Sequence, residues 1–156
     1  MLEGKSVNLR VLERDDIDFM VDCFNNIDFW GDNPFWEQVS KSGWMGHFDN
    51  PPNVAILTEW KRFIIQKKDG TRIGITWHMT NQPYGTMEIS YFLIPSERGK
   101  GYGTEVAQLM VDYLFLFRDI VRIQARTNVR NKASQRVLEK AGFRIEGTIR
   151  KLCFVR

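Results

Sequence analysis

Residues 88–104 read Glu-Ile-Ser-Tyr-Phe-Leu-Ile-Pro-Ser-Glu-Arg-Gly-Lys-Gly-Tyr-Gly-Thr, an apolar strand pattern that breaks into a basic, glycine-dense turn. An amphipathic helix pattern opens directly behind the turn, with Val106, Leu109, Met110, Tyr113, Leu114 and Phe117 on the face expected to be buried. Arg98, Gly101 and Gly103 set an Arg-x-x-Gly-x-Gly spacing. Glycines there let the main chain turn sharply and approach a ligand with no side chain in the way. The unbonded N–H groups of a helix's first turn point at whatever sits above them, and the helix dipole favours a negative group. A phosphate-bearing ligand is the expected occupant. A turn that binds nothing is the alternative, and its position between a strand and a helix argues against that. A dinucleotide-binding turn needs Gly-x-Gly-x-x-Gly and an acid about 20 residues further on; here the glycines are 99, 101 and 103, and the next strand carries Arg122 and Arg126. A nucleoside-triphosphate loop needs a hydroxyl after Gly-Lys, and Gly99-Lys100 is followed by Gly101.

Outward from this stretch the chain reads as one domain over residues 1–156. Val7, Leu9 and Val11 alternate as a strand, and Asp15-Asp16 open a helix carrying Ile17, Met20, Val21 and Phe24 at helical spacing. Residues 28–58 are rich in Trp, Gly, Pro and Asn and read as a loop with one short helix near residues 36–41. Strands over 62–67 and 72–80 flank Asp69-Gly70, a hairpin signal. A third antiparallel strand follows over 87–94, then the helix from 103 to 117. A strand (121–127), a helix (131–141) and a last strand (143–150) finish the chain. A meander followed by a strand–helix–strand crossover predicts an α/β fold: a mixed, mostly antiparallel sheet with a central parallel pair and helices on both faces.

The 156 residues, 43% hydrophobic and 26% charged, are those of an ordinary globular domain. No apolar run is long enough to span a bilayer, and the first residues lack a basic-then-apolar export pattern. Cys23 and Cys153 match no metal or redox spacing, which points to a cytoplasmic setting with no metal. The net charge of +3 conceals a division, because residues 118–156 hold 11 Lys/Arg against 3 Asp/Glu, whereas residues 13–37 hold eight acids and only Arg14. A basic end suits an anionic ligand and an acidic beginning a cationic one; two solvated faces of opposite sign are the plainer alternative.

Three motifs in order resemble the GNAT superfamily of acetyl-coenzyme A-dependent N-acetyltransferases. They are Met87-Glu-Ile-Ser-Tyr-Phe-Leu-Ile-Pro, Arg98-Gly-Lys-Gly-Tyr-Gly-Thr, and Asn131-Lys-Ala-Ser-Gln-Arg-Val-Leu-Glu-Lys-Ala-Gly-Phe-Arg-Ile-Glu-Gly147. With Val7-Asn-Leu-Arg-Val-Leu-Glu-Arg-Asp-Asp16 they are most similar to the branch of Rim-type enzymes that acetylate ribosomal-protein N-termini. Residues 28–60 stay unmatched. The resemblance implies acetyl-coenzyme A as co-substrate, its pyrophosphate on the main-chain amides of Gly99, Lys100, Gly101, Tyr102, Gly103 and Thr104, with Arg98 and Lys100 adding charge. It implies that the pantetheine arm pairs with the main chain near Phe92, Leu93 and Ile94, between strands 87–94 and 121–127, and that an N–H near Leu93 holds the developing oxyanion. Asn131 corresponds to a coenzyme contact, or caps the helix behind it. Arg130, Lys132, Arg136 or Lys140 would meet the 3′-phosphate.

For catalysis the resemblance implies Glu88 as base, directly or through water, or else a charge-paired strand carboxylate. Glu88 and Leu93 are an odd number of residues apart, so a bulge is expected to bring them to one face. The family's thiolate-protonating tyrosine is Leu138 here. In Rim-type relatives a serine and a glutamate take the work, and these correspond to Ser134 and Glu146; a helix-start hydroxyl and an arginine-paired acid are the alternatives. Cys153 has no histidine partner in the motif region, so a covalent route is not expected. His78 reads as structural, and His47 lies in the variable segment. Trp30, Trp36 and Trp44 fall in that segment too, where aromatic faces and acids would suit a cationic amine. Family members end with two antiparallel strands, and this sequence supplies one. A shortened end, an edge supplied by a second copy in a homodimer, and residues 143–155 taking that place all fit.

The expected function is acetyl transfer to a primary amine, a protein N-terminus or a small cationic amine. A catalytically weak acyl-coenzyme A sensor is the alternative. The basic C-terminal third shows no nucleic-acid-binding module.

Overall fold

Alternating apolar residues place strand β2 (Val7–Val11) with Val7 and Leu9 fully buried, while Val11 at its end is exposed. A computed structural model describes residues 1–31, 33, 38–49, 61–81, 85–117 and 119–152, with the side chains of His47 and Asn81 excepted. Six strands lie side by side in chain order: β1 (Leu2–Glu3), β2, β3 (Lys61–Lys67), β4 (Arg72–Asn81), β5 (Thr86–Leu93) and β6 (Arg122–Gln124). All neighbours are antiparallel except β5 and β6, which run parallel. That exception follows from α4 (Tyr102–Phe117), which carries the chain over one face of the sheet, as parallel pairing requires. The β3–β4 turn is the one Asp69-Gly70 predicts. Gly70 has φ +85°, Lys67 and Thr71 close the hairpin at 2.9 Å, and the Asp69 carboxylate accepts the Thr71 N–H.

Helices cover both faces, and each face has its own core. On one side α4 and α5 (Lys132–Lys140) pack over Val7, Leu9, Phe63, Ile65, Met87, Ile89 and Leu93. On the other, α1 (Ile17–Phe24), α2 (Ile27–Trp30) and α3 (Lys41–Asp49) cover Ile64 and Ile75. A bulge on β4 serves both cores. The register passes from Ile65 opposite Gly74 to Gln66 opposite Arg72, so Ile73 is the extra residue and buries on the α4 side while Ile75 buries on the other. A 3-10 turn (Arg14–Asp16) precedes α1 and holds Asp16, fully buried, against Arg10 at 2.8 Å and Arg72 at 2.9 Å.

Four expectations are corrected. Phe117 is 69% exposed, because Leu114 is the last α4 residue over the sheet and the final turn overhangs it. The strand expected over 121–127 is only three residues long, since β5 offers it partners only at Thr86, Met87 and Glu88. Residues 143–150 form no strand despite alternating Phe143, Ile145 and Ile149; they meet β6 through a side-chain pair, Glu146 with Arg122, rather than a main-chain ladder. In the variable segment the helix after residue 36 begins at Lys41; Trp36 itself lies outside the described residues, as does Cys153.

Candidate active site

The parallel pair ends early and leaves an opening in the sheet. The Ile94 N–H donates to the Ile73 carbonyl at 2.9 Å. Main-chain groups alternate in direction along an antiparallel ladder, so the even residues of β5 address β4, while Ile89, Tyr91 and Leu93 address the side of β6. β6 pairs only as far as Glu88. From residue 89 to 93 that edge of β5 is therefore a row of main-chain groups with no strand opposite among the described residues. Of the three residues expected to address a pantetheine arm, Leu93 points its N–H into the opening. Phe92 faces β4, and the Ile94 N–H is already bonded, so those two expectations are corrected by the register.

The turn that closes the opening has the expected backbone and a different use of its side chains. Gly99 and Gly101 have φ +75° and +90°, and neither would meet any atom with an added Cβ. Gly101 starts α4: its carbonyl accepts the Thr104 N–H at 3.1 Å and the Glu105 N–H at 3.4 Å. Thr104 is thus removed from the expected set of donors. The N–H groups of Gly99, Lys100, Gly101, Tyr102 and Gly103 have no protein acceptor among the described residues. Five unspent amides in one turn, with open space beside Gly99 and Gly101, fit a diphosphate. Gly103 is buried inside the helix, where an added Cβ would stand 3.5 Å from Val137 and 3.6 Å from Tyr91, so its Cα side faces the core while its amide stays unspent. Lys100 pairs with Glu97 at 3.0 Å, and this hydrogen bond holds the Glu97 carboxyl below the usual carboxylate range. Arg98 does not point at the turn. Its Nε donates to the Leu93 carbonyl at 3.0 Å and its Nη2 to the carbonyls of Asp28 at 2.6 Å and Phe29 at 2.9 Å. Burial pushes its pKa below the ordinary arginine value.

The three candidate catalytic side chains have separate partners. The β4–β5 ladder runs without a bulge, so Glu88 stays on the α1–α3 face, opposite the side chain of Leu93; the expected bulge lies in β4 instead. The Glu88 carboxylate, almost fully buried, accepts from Arg126 Nε at 2.9 Å and Gln124 Nε2 at 3.2 Å. Ser134 lies on the other face, 2.9 Å from the Tyr91 hydroxyl. Burial raises the Tyr91 pKa, against the opposing effect of Ser134. Glu146 is exposed and ion-paired with Arg122. Asn131 caps α5, its Oδ1 accepting the Ser134 N–H at 2.9 Å. Leu138 is buried in the core. Sequence reading missed Tyr91 and Arg126. The strand period alone places Tyr91 on the α4–α5 face with Leu93, whereas the Arg126–Glu88 pair depends on the register of β6.

On the α1–α3 face the aromatic residues are already engaged. Arg62 stacks on the buried Trp44 at 4.5 Å, so the protein's own cation covers that ring. Trp30 packs on Phe24 and Phe92, and its Nε1 donates to the Phe24 carbonyl at 2.7 Å. These two rings do not form the expected amine cage. His78 is buried between Phe63 and Tyr113, the structural place its sequence suggested. A cavity of ≈ 190 Å³ remains between α1 and the end of β5, apolar but for Asp22 and Asn26.

A parallel strand pair that parts, with a free-amide turn at its end, is the geometry the three sequence motifs imply. Residues 6–144 match the family model described as an acetyltransferase (GNAT) domain. The chain belongs to the GNAT acetyltransferase family. As a member it is an N-acetyltransferase with acetyl-coenzyme A as co-substrate, and the free amides above fit that molecule's diphosphate. The probable N-acetyltransferase YjcK of Bacillus subtilis (strain 168) is 32% identical over 97% of this chain and 87% of its own length. Spermidine N(1)-acetyltransferase of Escherichia coli (strain K12) is 26% identical over 99% of this chain and 82% of its own. The crystal structure of spermidine N-acetyltransferase from Vibrio cholerae in complex with CoA and spermine has the same fold, with TM-score 0.80, 22% identity, and coverage of 96% of this chain and 88% of that one. No helix among the described residues is long and apolar enough to cross a membrane.

Proposed function

We propose that this acetyltransferase acts on a primary amine by direct transfer, and that the acceptor is a small cationic amine or a protein N-terminus. The observation that carries the reading is the opening beside residues 89–93 of β5, closed at one end by the unspent amides of Gly99–Gly103. In this reading those amides hold the diphosphate, and the Leu93 N–H faces the thioester oxygen, where a fixed donor contributes about 2.7–4 kcal/mol. The amine must lose a proton before it attacks. Glu88 takes that proton through water, each of its oxygens retaining a lone pair beside the bonds from Arg126 and Gln124. The C–N bond forms, the C–S bond breaks, and a thiol of ordinary pKa about 8.5 leaves. Ser134, hydrogen-bonded to Tyr91, and Glu146 are the remaining candidates for proton return, which Leu138 cannot supply.

The spermidine acetyltransferases among the relatives and the eight acids of residues 13–37 favour a small cationic acceptor. Ser134 and Glu146 favour the Rim-type branch and a protein N-terminus. Thiol release from acetyl-coenzyme A decides between them, measured with spermidine, with N-terminal peptides and with free lysine. Turnover with spermidine alone supports the first acceptor and turnover with peptides alone the second. The tie between Glu88 and Arg126 favours one competing reading, a catalytically weak acyl-coenzyme A sensor. Coenzyme binding without thiol release to any of these amines would support the sensor.

A further inference from the structure

We infer that Arg98, despite its place in the glycine-turn spacing, is a positioning residue that fastens helix α2 to the coenzyme turn. Its guanidinium gives three of its five N–H donors to main-chain carbonyls: Nε to Leu93 at the end of β5, and Nη2 to Asp28 and Phe29 in α2. With Nε and Nη2 committed to these carbonyls, the remaining Nη1 stands 3.9 Å from where a Cβ on Gly31 would lie, on the α2 side, and the turn's own amides are left as its phosphate donors. The carbonyls of Asp28 and Phe29 belong to a helix of only four residues, too short to hold itself together by its own hydrogen bonds. It is tied to the same strand by Phe29, which stacks on Phe92 at 5.7 Å, and by Trp30, which meets Phe92 edge-on at 5.1 Å, and to α1 through Phe24. The α2 wall faces the same side of β5 as Glu88. One side chain thus spans the end of β5, the first residue of the turn sequence and the wall of the opposite face.

The inference rests on the reading that coenzyme A binds the turn, and it adds a consequence. An anion on the amides of Gly99–Gly103 fixes the backbone from which Arg98 projects, so binding on one face steadies α2 on the other. Linkage makes the effect reciprocal: a ligand that orders α2 tightens coenzyme binding by the same factor.

The test is hydrogen exchange at residues 27–31 in the wild-type protein with and without coenzyme A. It is repeated in Arg98→Lys and Arg98→Gln, with calorimetric coenzyme A affinity at about 50 and 300 mM salt. In the wild type, exchange at the Phe29 and Gly31 amides should slow about tenfold on binding, the scale of one charged hydrogen bond. In the variants coenzyme A should still bind, with the same relative loss of affinity at high salt, but without added protection of α2. Unchanged α2 exchange in the wild type would overturn the inference, as would a salt dependence weakened in Arg98→Gln, which would mark a phosphate contact. If neither variant folds, the wild-type exchange result decides alone. Failure of coenzyme A to bind the wild type would instead refute the reading beneath it.

Discussion

Glu88 and Asp16 are both buried acids held by arginines, and their predicted roles differ. Glu88 lies at the last paired position of β5, where the sheet opens, so Glu88→Gln should leave coenzyme A affinity intact and lower kcat about a hundredfold. An equal kcat, with only a lower melting temperature, would mark a purely structural carboxylate. Asp16 closes the start of α1 onto β2 and β4 through Arg10 and Arg72. Burial pushes its carboxyl up, but hydrogen bonds from Arg10 and the Glu13 amide, with the charges of Arg10 and Arg72, outweigh burial and hold it below the ordinary 3.8. A depressed folded pKa means stability that is fully present above the unfolded value and lost as pH falls through the folded one. Asp16→Asn should therefore cost about 3 kcal/mol near neutrality and flatten the acid limb of the stability–pH curve; a parallel acid limb would contradict the assignment. Burial, then the neighbouring Asp22, pushes the Cys23 thiol up to about 12. In a Cys153→Ser variant, Cys23 should react with Ellman's reagent only as the protein unfolds, and fast reaction of the native protein would contradict this.

At the scale of elements, the glycines of the turn separate into two kinds. Gly101 has φ +90° in open space, so Gly101→Ala imposes about 1–2 kcal/mol of left-handed strain at the amides that hold phosphate, and coenzyme A affinity should fall. Gly103 is helical, and its added methyl would make ordinary contacts with Val137 and Tyr91. Gly103→Ala should raise apo stability by up to about 1 kcal/mol while retaining binding through its amide; calorimetry showing abolished binding would mean that the phosphate approaches the Cα side of Gly103. Elements with a buried face were legible before the structure: the alternation in β2, the apolar runs of β3 and β5 that bury on both faces, and the helical spacing in α1 and α4 reflect which side chains leave water. Elements defined by a partner were not. Residues 143–150 alternate as a strand should, but alternation records a preference for a pleated surface and supplies no neighbouring backbone.

For the whole molecule, the sheet divides the site in two. The turn and Ser134 belong to the α4–α5 face, Glu88 to the α1–α3 face, and the two meet only where β5 and β6 part. The glycine turn between a strand and its crossover helix was legible in the sequence, and the opening beside it was expected from the resemblance that its motifs carry. The direction of Arg98 and the partner of Glu88 were not, because each depends on chain about 40–70 residues away brought close only by folding. The central claim is that free amides at the end of β5 hold coenzyme A. Amide shifts in a two-dimensional NMR spectrum during a coenzyme A titration test it directly. Saturable binding is predicted, with the largest changes at Gly99, Gly101 and Gly103 and a further change at Leu93. No saturation, or shifts confined to other parts of the chain, would contradict it.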